Sequence, residues 1–265
     1  MATWQIRRFT ALAAAALAVP LLTGAPPAHA AAPSYVALGD SYSSGVGTRS
    51  YLSDGTTCQR SVYAFPSLIA AARGFSLNFR ACSGAKVADV ASTQLSALGS
   101  GTSYVTISVG GNDAGFTGVI TTCAKPAWAS DCNGAVKKAQ AFITNTLPGS
   151  LSTLYASIRA RAPHARVVVV GYPRLFNGED CNALTWFSAT DESQLNATAD
   201  LLDKTLAAAA SAKGFSFADP TSAFIGTRSA ATPSGSTVCP TRSARATTPT
   251  APVTRPVTRR WSAAC

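Results

Sequence analysis

The chain has 265 residues, 47% of them hydrophobic and 13% charged, with a formal net charge of +10. That charge misleads, because Arg7 and Arg8 sit at the start and six arginines follow Gly226, leaving 14 basic against 12 acidic residues between. The near-neutral body argues against a nucleic-acid or membrane-surface footprint, and its roughly 195 residues suffice for one domain with one core.

Residues 1–30 read as a secretory signal peptide. Arg7 and Arg8 give a positive start, Ala11 to Leu22 form an apolar stretch, and Ala28-His29-Ala30 supplies a small-x-small cleavage pattern. An anchor helix is the weaker reading, since Pro20 and Pro26-Pro27 interrupt the run and a span needs about 18 apolar residues. The arginine pair also suits twin-arginine export, though ordinary secretion needs less. The mature protein is expected to be exported, soluble and monomeric, with no stable membrane insertion.

From Ala31 to Gly226, short apolar runs alternate with helical segments. Strands are expected at Ser34 to Leu38, Phe75 to Phe79, Tyr104 to Val109, Arg166 to Val170 and Phe215 to Ala218. Helices are expected at Tyr63 to Arg73, Ala135 to Arg161 and Asp191 to Lys213. Nearly uninterrupted apolar strands separated by helices predict an α/β domain with a parallel sheet covered on both faces. In such a sheet, ligand-handling residues gather past the C-terminal strand ends. Residues 227–265 are rich in Thr, Ala, Pro, Arg and Ser without helix or strand periodicity, which reads as a disordered tail.

Seven cysteines in an exported chain read as a disulfide set with one left over. Cys58 and Cys82 flank one strand-helix unit, and Cys123 and Cys132 close a short loop, so each set is expected to pair. Cys181 would then need Cys239 or Cys265. Zinc is the weaker alternative, because no CxxC spacing or useful histidine accompanies these cysteines; no metal is expected.

Three segments carry chemistry. Gly39-Asp40-Ser41 follows the first strand, where a serine hydroxyl can project over the sheet edge. Cys82-Ser83-Gly84-Ala85 follows the second, where glycine leaves its backbone N–H open to an oxyanion. Gly110-Gly111-Asn112-Asp113 follows the third, where the Asn112 amide can donate a further hydrogen bond. Gly39-Asp40-Ser41 alone would not outweigh an ordinary strand-to-loop serine, and a simple loop is the lesser reading of the glycine pair; their agreement, each after its own strand, is what singles them out.

In these blocks the chain resembles the GDSL, or SGNH, hydrolases, specifically their secreted, disulfide-bonded lipase and esterase branch. The likeness runs from about Tyr35 to about Gly226 and includes Gly171-Tyr172-Pro173-Arg174-Leu175. It implies a three-layer α/β/α sandwich, flavodoxin-like, around a parallel sheet of about five strands. It also implies hydrolysis of small-molecule or lipid esters through Ser41, without cofactor. The oxyanion hole would be formed by the Ser41 N–H, the Gly84 N–H and the Asn112 side chain. Asp40 and Asp113 would be structural, holding their loops through backbone hydrogen bonds. The other acidic residues are expected on the solvated surface.

The departure is the base. The resemblance calls for a histidine just beyond the fifth strand, after Asp219-Pro220-Thr221, yet the only histidines are His29 and His164. His29 leaves with the signal, and His164 precedes the fourth strand, at the opposite sheet edge. Ester hydrolysis is therefore expected to be impaired in this chain, and a catalytically lapsed binding protein is the alternative. A shifted reading frame offers another explanation of the tail. Back-translated from Thr227 with GC-rich codons and read one nucleotide earlier, it yields His-Glu-Val-Cys-Gly-Asp-Ser-Glu-Trp-Leu-Asn-Gly and later Glu-Ser-Tyr-His-Pro-Asn. The second histidine falls in the register of Thr248 and a cysteine in that of Ala230, while Cys239 and Cys265 disappear. One shift thus repairs the missing base, the odd cysteine and the acid-free composition together.

Overall fold

The computed structural model describes Met1, residues 31–176 and residues 185–224. The segment expected to be a signal peptide, with His29, and Cys181, Cys239, Cys265 and the residues after Gly226 lie outside the described residues.

Five parallel strands form the sheet: β1 (Ser34–Gly39), β2 (Ser76–Phe79), β3 (Tyr104–Ser108), β4 (Arg166–Val170) and β5 (Ser216–Ala218), in the order β2-β1-β3-β4-β5. Registers pair Tyr35 with Leu77 and with Tyr104, and Val105 with Val167. The strands form where β-branched and aromatic residues run together, and their period of two sorts the side chains into two cores. Val36, Leu38, Val105, Ile107 and Val169 enter one core, whereas Tyr35, Ala37 and Val170 enter the other.

Helices cover both faces. α1 (Ser41–Ser44) is a single turn after β1, and α2 (Phe65–Arg73) precedes β2. α3 (Val87–Asp89) continues through a π turn at Val90–Gln94 and a 3-10 turn at Leu95–Ala97. α4 (Phe116–Cys123) follows β3, then α5 (Cys132–Asn145) and α6 (Leu147–Arg161) lead to β4. α7 (Ala189–Ser211) precedes β5, and α8 (Thr221–Phe224) follows it. Ile69 and Ala70 of α2 pack under Tyr35 and Ala37. On the opposite face Leu147, Leu151, Leu154 and Ile158 of α6 join Leu202 and Leu206 of α7. This is the three-layer α/β/α sandwich that the sequence suggests.

Two details differ from the sequence expectation. The single helix expected over Ala135 to Arg161 is two helices that meet at Thr146, whose φ of −115° departs from helical values. Pro148 explains the break, since it has no N–H to donate and its ring clashes with the carbonyl four residues back. α4 and the mixed helical segment at 87–97 were not expected; each is short and carries no long periodic stripe.

The strand order has one consequence for the site. The chain reverses its direction of winding between β1 and β3, and such a switch point opens a crevice at the C-terminal strand ends. Ser41 follows β1 and Asn112 follows β3, one on each side of that crevice. His164 is exposed and precedes β4, at the N-terminal edge of the sheet.

Candidate active site

Ser41 is the first residue of α1, and Asp40 caps that turn through a 3.0 Å hydrogen bond from the Tyr42 N–H to its Oδ1. Gly39 must be glycine. Its φ is +127°, and a Cβ there would lie 2.4 Å from the Ser108 carbonyl oxygen. The strand end therefore approaches β3 more closely than any side chain permits.

A buried polar network fixes this strand end. The Asp40 N–H donates to the Ser108 carbonyl at 3.0 Å, and the Ser108 hydroxyl donates back to Asp40 Oδ1 at 2.9 Å. Ser43 and Ser108 share a 2.7 Å hydroxyl contact, and the Ser43 N–H donates to the Ser108 hydroxyl at 3.1 Å. Gln94, buried at the end of the π turn, clamps Gly39 from the other side. Its Oε1 accepts from the Gly39 N–H at 2.8 Å, and its Nε2 donates to the Gly39 carbonyl at 2.9 Å. Both carboxylate oxygens of Asp40 and the hydroxyls of Ser43 and Ser108 thus have partners, as burial demands.

The three strand-end loops are stitched together in sequence. The Cys82 N–H donates to the Gly39 carbonyl at 3.0 Å, tying the Gly84 turn to the strand end that carries Ser41. The Cys58–Cys82 disulfide anchors that turn, and Gly84 itself is exposed with φ +81°. Asn112 Nδ2 then donates to the Ala85 carbonyl at 3.0 Å, and the Val87 N–H donates to both Asp113 oxygens at 3.2 and 3.1 Å. Asp40 and Asp113 each accept from a backbone N–H, of Tyr42 and Val87 respectively. Among the described residues, neither the Ser41 N–H nor the Gly84 N–H has an acceptor. Asn112 has one amide hydrogen beyond the one given to Ala85.

Burial pushes the Asp40 carboxyl up to about 6, against the lowering effect of the Tyr172, Ser108 and backbone hydrogen bonds. Burial also raises Asp113, partly offset by the Val87 N–H. The Tyr172 hydroxyl donates to Asp40 Oδ2 at 2.5 Å. Burial beside that carboxylate holds the phenol well above its ordinary range, so it stays protonated as the donor.

Sequence reasoning missed Gln94, Tyr172 and Asp203. Tyr172 was visible only as part of a matched block. Asp203 corrects the expectation that the remaining acidic residues lie on the solvated surface: it is buried on α7, and its Oδ1 accepts from the Tyr172 N–H at 2.8 Å. Burial raises it to about 7, with the nearby Asp219 and Asp200 charges adding to the shift. Gly171 leaves room for it, since a Cβ there would lie 2.6 Å from Asp203 Oδ2. Glu192 is also buried, against the same expectation.

Both expected disulfides form, Cys58–Cys82 and Cys123–Cys132. Among the described residues no cluster of His, Cys, Asp or Glu could hold a metal, and no helix is long and apolar enough to cross a membrane.

Comparison with known proteins bears on the family and the fold. The GDSL-like Lipase/Acylhydrolase family matches residues 37–237. Lipase 1 of Streptomyces coelicolor is 48% identical over 211 residues, covering 77% of each chain. The lipase of Streptomyces rimosus is 44% identical over 230 residues, covering 84% of this chain and 85% of that one. Among solved structures, phospholipase A1 from Streptomyces albidoflavus superposes with a TM-score of 0.70 at 44% identity, over 75% of this chain and 84% of that one. The extracellular lipase from Streptomyces rimosus gives the same TM-score and identity, over 76% and 86%. The chain belongs to the GDSL-like lipase/acylhydrolase family, a family of carboxylic ester hydrolases.

Proposed function

We propose that this chain is an exported lipase or esterase whose nucleophile is Ser41. The hydroxyl would attack the ester carbonyl, expel the alcohol and leave an acyl-enzyme that water hydrolyses. One observation carries the reading. Two open N–H groups, at Ser41 and Gly84, and the spare Asn112 amide hydrogen come from three stitched loops around one switch point. Donors of this kind stabilise a tetrahedral oxyanion, and each typically contributes about 100- to 1000-fold in rate. The substrate class is a carboxylic ester. Lipid esters are favoured, supported by the named activity of the Streptomyces albidoflavus relative. The signal-like N-terminus and the extracellular Streptomyces rimosus relative support export.

The nucleophile needs a base, and the chain holds histidine only at positions 29 and 164. His164 stands at the opposite end of β4. We therefore propose that the chain as written turns esters over poorly, retaining the modest catalysis of binding and oxyanion stabilisation. The same observation favours a second reading, a binding protein that keeps the pocket without turnover. The shifted frame after Gly226 would restore a histidine beyond Asp219 and with it the enzyme.

The test compares the 265-residue chain with one whose frame is shifted after Gly226, on a panel of esters of increasing acyl length. Only the shifted chain should hydrolyse them briskly, and Ser41→Ala in it should lower turnover by about 10,000-fold or more. Retained activity in Ser41→Ala would remove Ser41 as nucleophile. Brisk hydrolysis by the 265-residue chain would return His164 to candidacy. Finding Thr227-Arg228-Ser229 among the C-terminal peptides of the secreted protein would end the frame reading and leave the lapsed enzyme.

A further inference from the structure

Among the described residues beyond Met1, seven large hydrophobic side chains are exposed, and five belong to one segment: Val46, Tyr51, Leu52, Val62 and Tyr63. The segment between α1 and α2 folds as a flap. Tyr51 and Ser61 form an antiparallel bridge, and the Leu52 N–H donates to the Arg60 carbonyl at 2.7 Å. The Thr48 hydroxyl donates to Ser61 Oγ at 2.7 Å, and the Gly47 N–H donates to the Tyr51 hydroxyl at 3.1 Å. These bonds gather the five apolar residues onto one small unit, where scattering would be the ordinary pattern.

The flap is fastened to the site at both ends. The Val46 N–H donates to the Ser41 carbonyl at 3.0 Å, and the Ser61 N–H donates to the Ser44 carbonyl at 2.8 Å. Cys58 is bonded to Cys82, two residues before Gly84. A rigid apolar surface thus borders both the proposed nucleophile and one proposed oxyanion donor. Its charges are Asp54, Arg49 and Arg60, of which Asp54 and Arg60 form a 2.8 Å ion pair. That balance does not repel phosphate headgroups. Tyrosine joins an apolar ring to a polar tip, a combination suited to a lipid–water boundary.

We propose that the flap, through Leu52, Val62 and Tyr63 in particular, docks the protein on the surface of aggregated lipid, so that an ester enters the site from the bound surface. This rests on the reading of Ser41 as the nucleophile of a lipid esterase. A lipid surface is the occupant because the flap joins Ser41 directly through the Val46 N–H, presents exposed tyrosines beside aliphatic side chains, and carries nearly balanced charge.

Vesicles of dialkyl-ether phosphatidylcholine, which carry no ester to cleave, test docking apart from turnover. The full chain should co-float with them, and Ser41→Ala should bind equally well, so failure of the nucleophile reading leaves this result untouched. Leu52→Ser/Val62→Ser/Tyr63→Ser should lower the partition coefficient at least about tenfold, by the loss of three insertable apolar groups. Its thermal midpoint should stay unchanged. If the triple variant is unstable, Val62→Ser alone should lower partitioning about threefold. Trp128→Ala/Trp186→Ala, which alters the two large exposed hydrophobics outside the flap among the described residues, should leave partitioning within about twofold. The proposal is overturned if the parent chain does not bind, if the flap variants bind as the parent does, or if the tryptophan pair carries the loss. Self-association through the flap without vesicle binding would assign the face to a second copy and overturn it equally.

Discussion

Gln94 offers the sharpest test of how the strand end before Ser41 is held. It lies 55 residues from Gly39, yet supplies both an acceptor and a donor to that backbone. Gln94→Leu keeps the volume and removes both bonds. The Gly39 carbonyl retains the Cys82 N–H, but the Gly39 N–H is orphaned in a buried setting. An unsatisfied buried donor costs about 1–3 kcal/mol and the second bond about 1 kcal/mol, so the loss should be about 2–4 kcal/mol. For a domain near 195 residues, this lowers the melting midpoint by roughly 5–12 °C. Scanning calorimetry on the full chain measures it, and a shift under about 1 °C would refute the clamp.

Gln94→Glu sharpens the argument by making the clamp titratable. A protonated carboxyl can accept from the Gly39 N–H and donate to its carbonyl; an ionised one cannot donate and faces that carbonyl with like charge. Burial and the lost donor both raise its folded-state pKa above the unfolded value of about 4.3. Its contribution is therefore fully present below about pH 4 and is lost as pH rises through the folded value. The deficit relative to the parent chain should be small near pH 4 and largest near pH 8. A deficit that is flat, or that grows toward acid, would show that the two bonds do not act as the geometry implies.

Four further outcomes follow from the site. Asp40 at about 6 and Asp203 at about 7 both lie above their ordinary 3.8, so each contributes stability that is lost as pH rises through those values. The melting midpoint should fall between about pH 4 and pH 7, from the unfolded value of 3.8 to the folded values, and Asp203→Asn should flatten that fall; an unchanged slope would contradict the burial of Asp203. Asn112→Ala should cost about 1 kcal/mol in urea unfolding through the lost bond to Ala85, and about 100- to 1000-fold in turnover of the frame-shifted chain. Gly39→Ala should yield little folded protein by circular dichroism, because its Cβ meets the Ser108 carbonyl as well as a strained φ. Replacing both cysteines of one bridge by alanine should cost about 3 kcal/mol for the separation of 24 residues at Cys58–Cys82, and slightly less for the separation of 9 at Cys123–Cys132; calorimetry of the two variants gives the ranking.

The layer order and the placement of Ser41, Gly84 and Asn112 past strand ends are legible in the chain because strands such as Val167-Val168-Val169-Val170 carry a local, redundant signal. What holds those residues in place is not local. Gln94, Tyr172 and Asp203 are polar residues on a helix, a loop and a helix, where their types read as solvated positions. Their roles arise from partners 55, 132 and 31 residues away, Gly39, Asp40 and Tyr172 in turn. Pattern periodicity reports which face is buried, whereas a buried carboxylate on an otherwise apolar face such as Asp203 registers only as noise in the pattern. The physical sign that would have found it is adjacent to it in space. Gly171, just past the end of β4, has no side chain where the Asp203 carboxylate must enter, and Tyr172 follows with the N–H that donates to it. The Gly171-Tyr172 pair therefore serves the serine indirectly: its glycine admits Asp203, Asp203 fixes the tyrosine backbone, and the tyrosine hydroxyl reaches Asp40, which caps the turn that begins with Ser41.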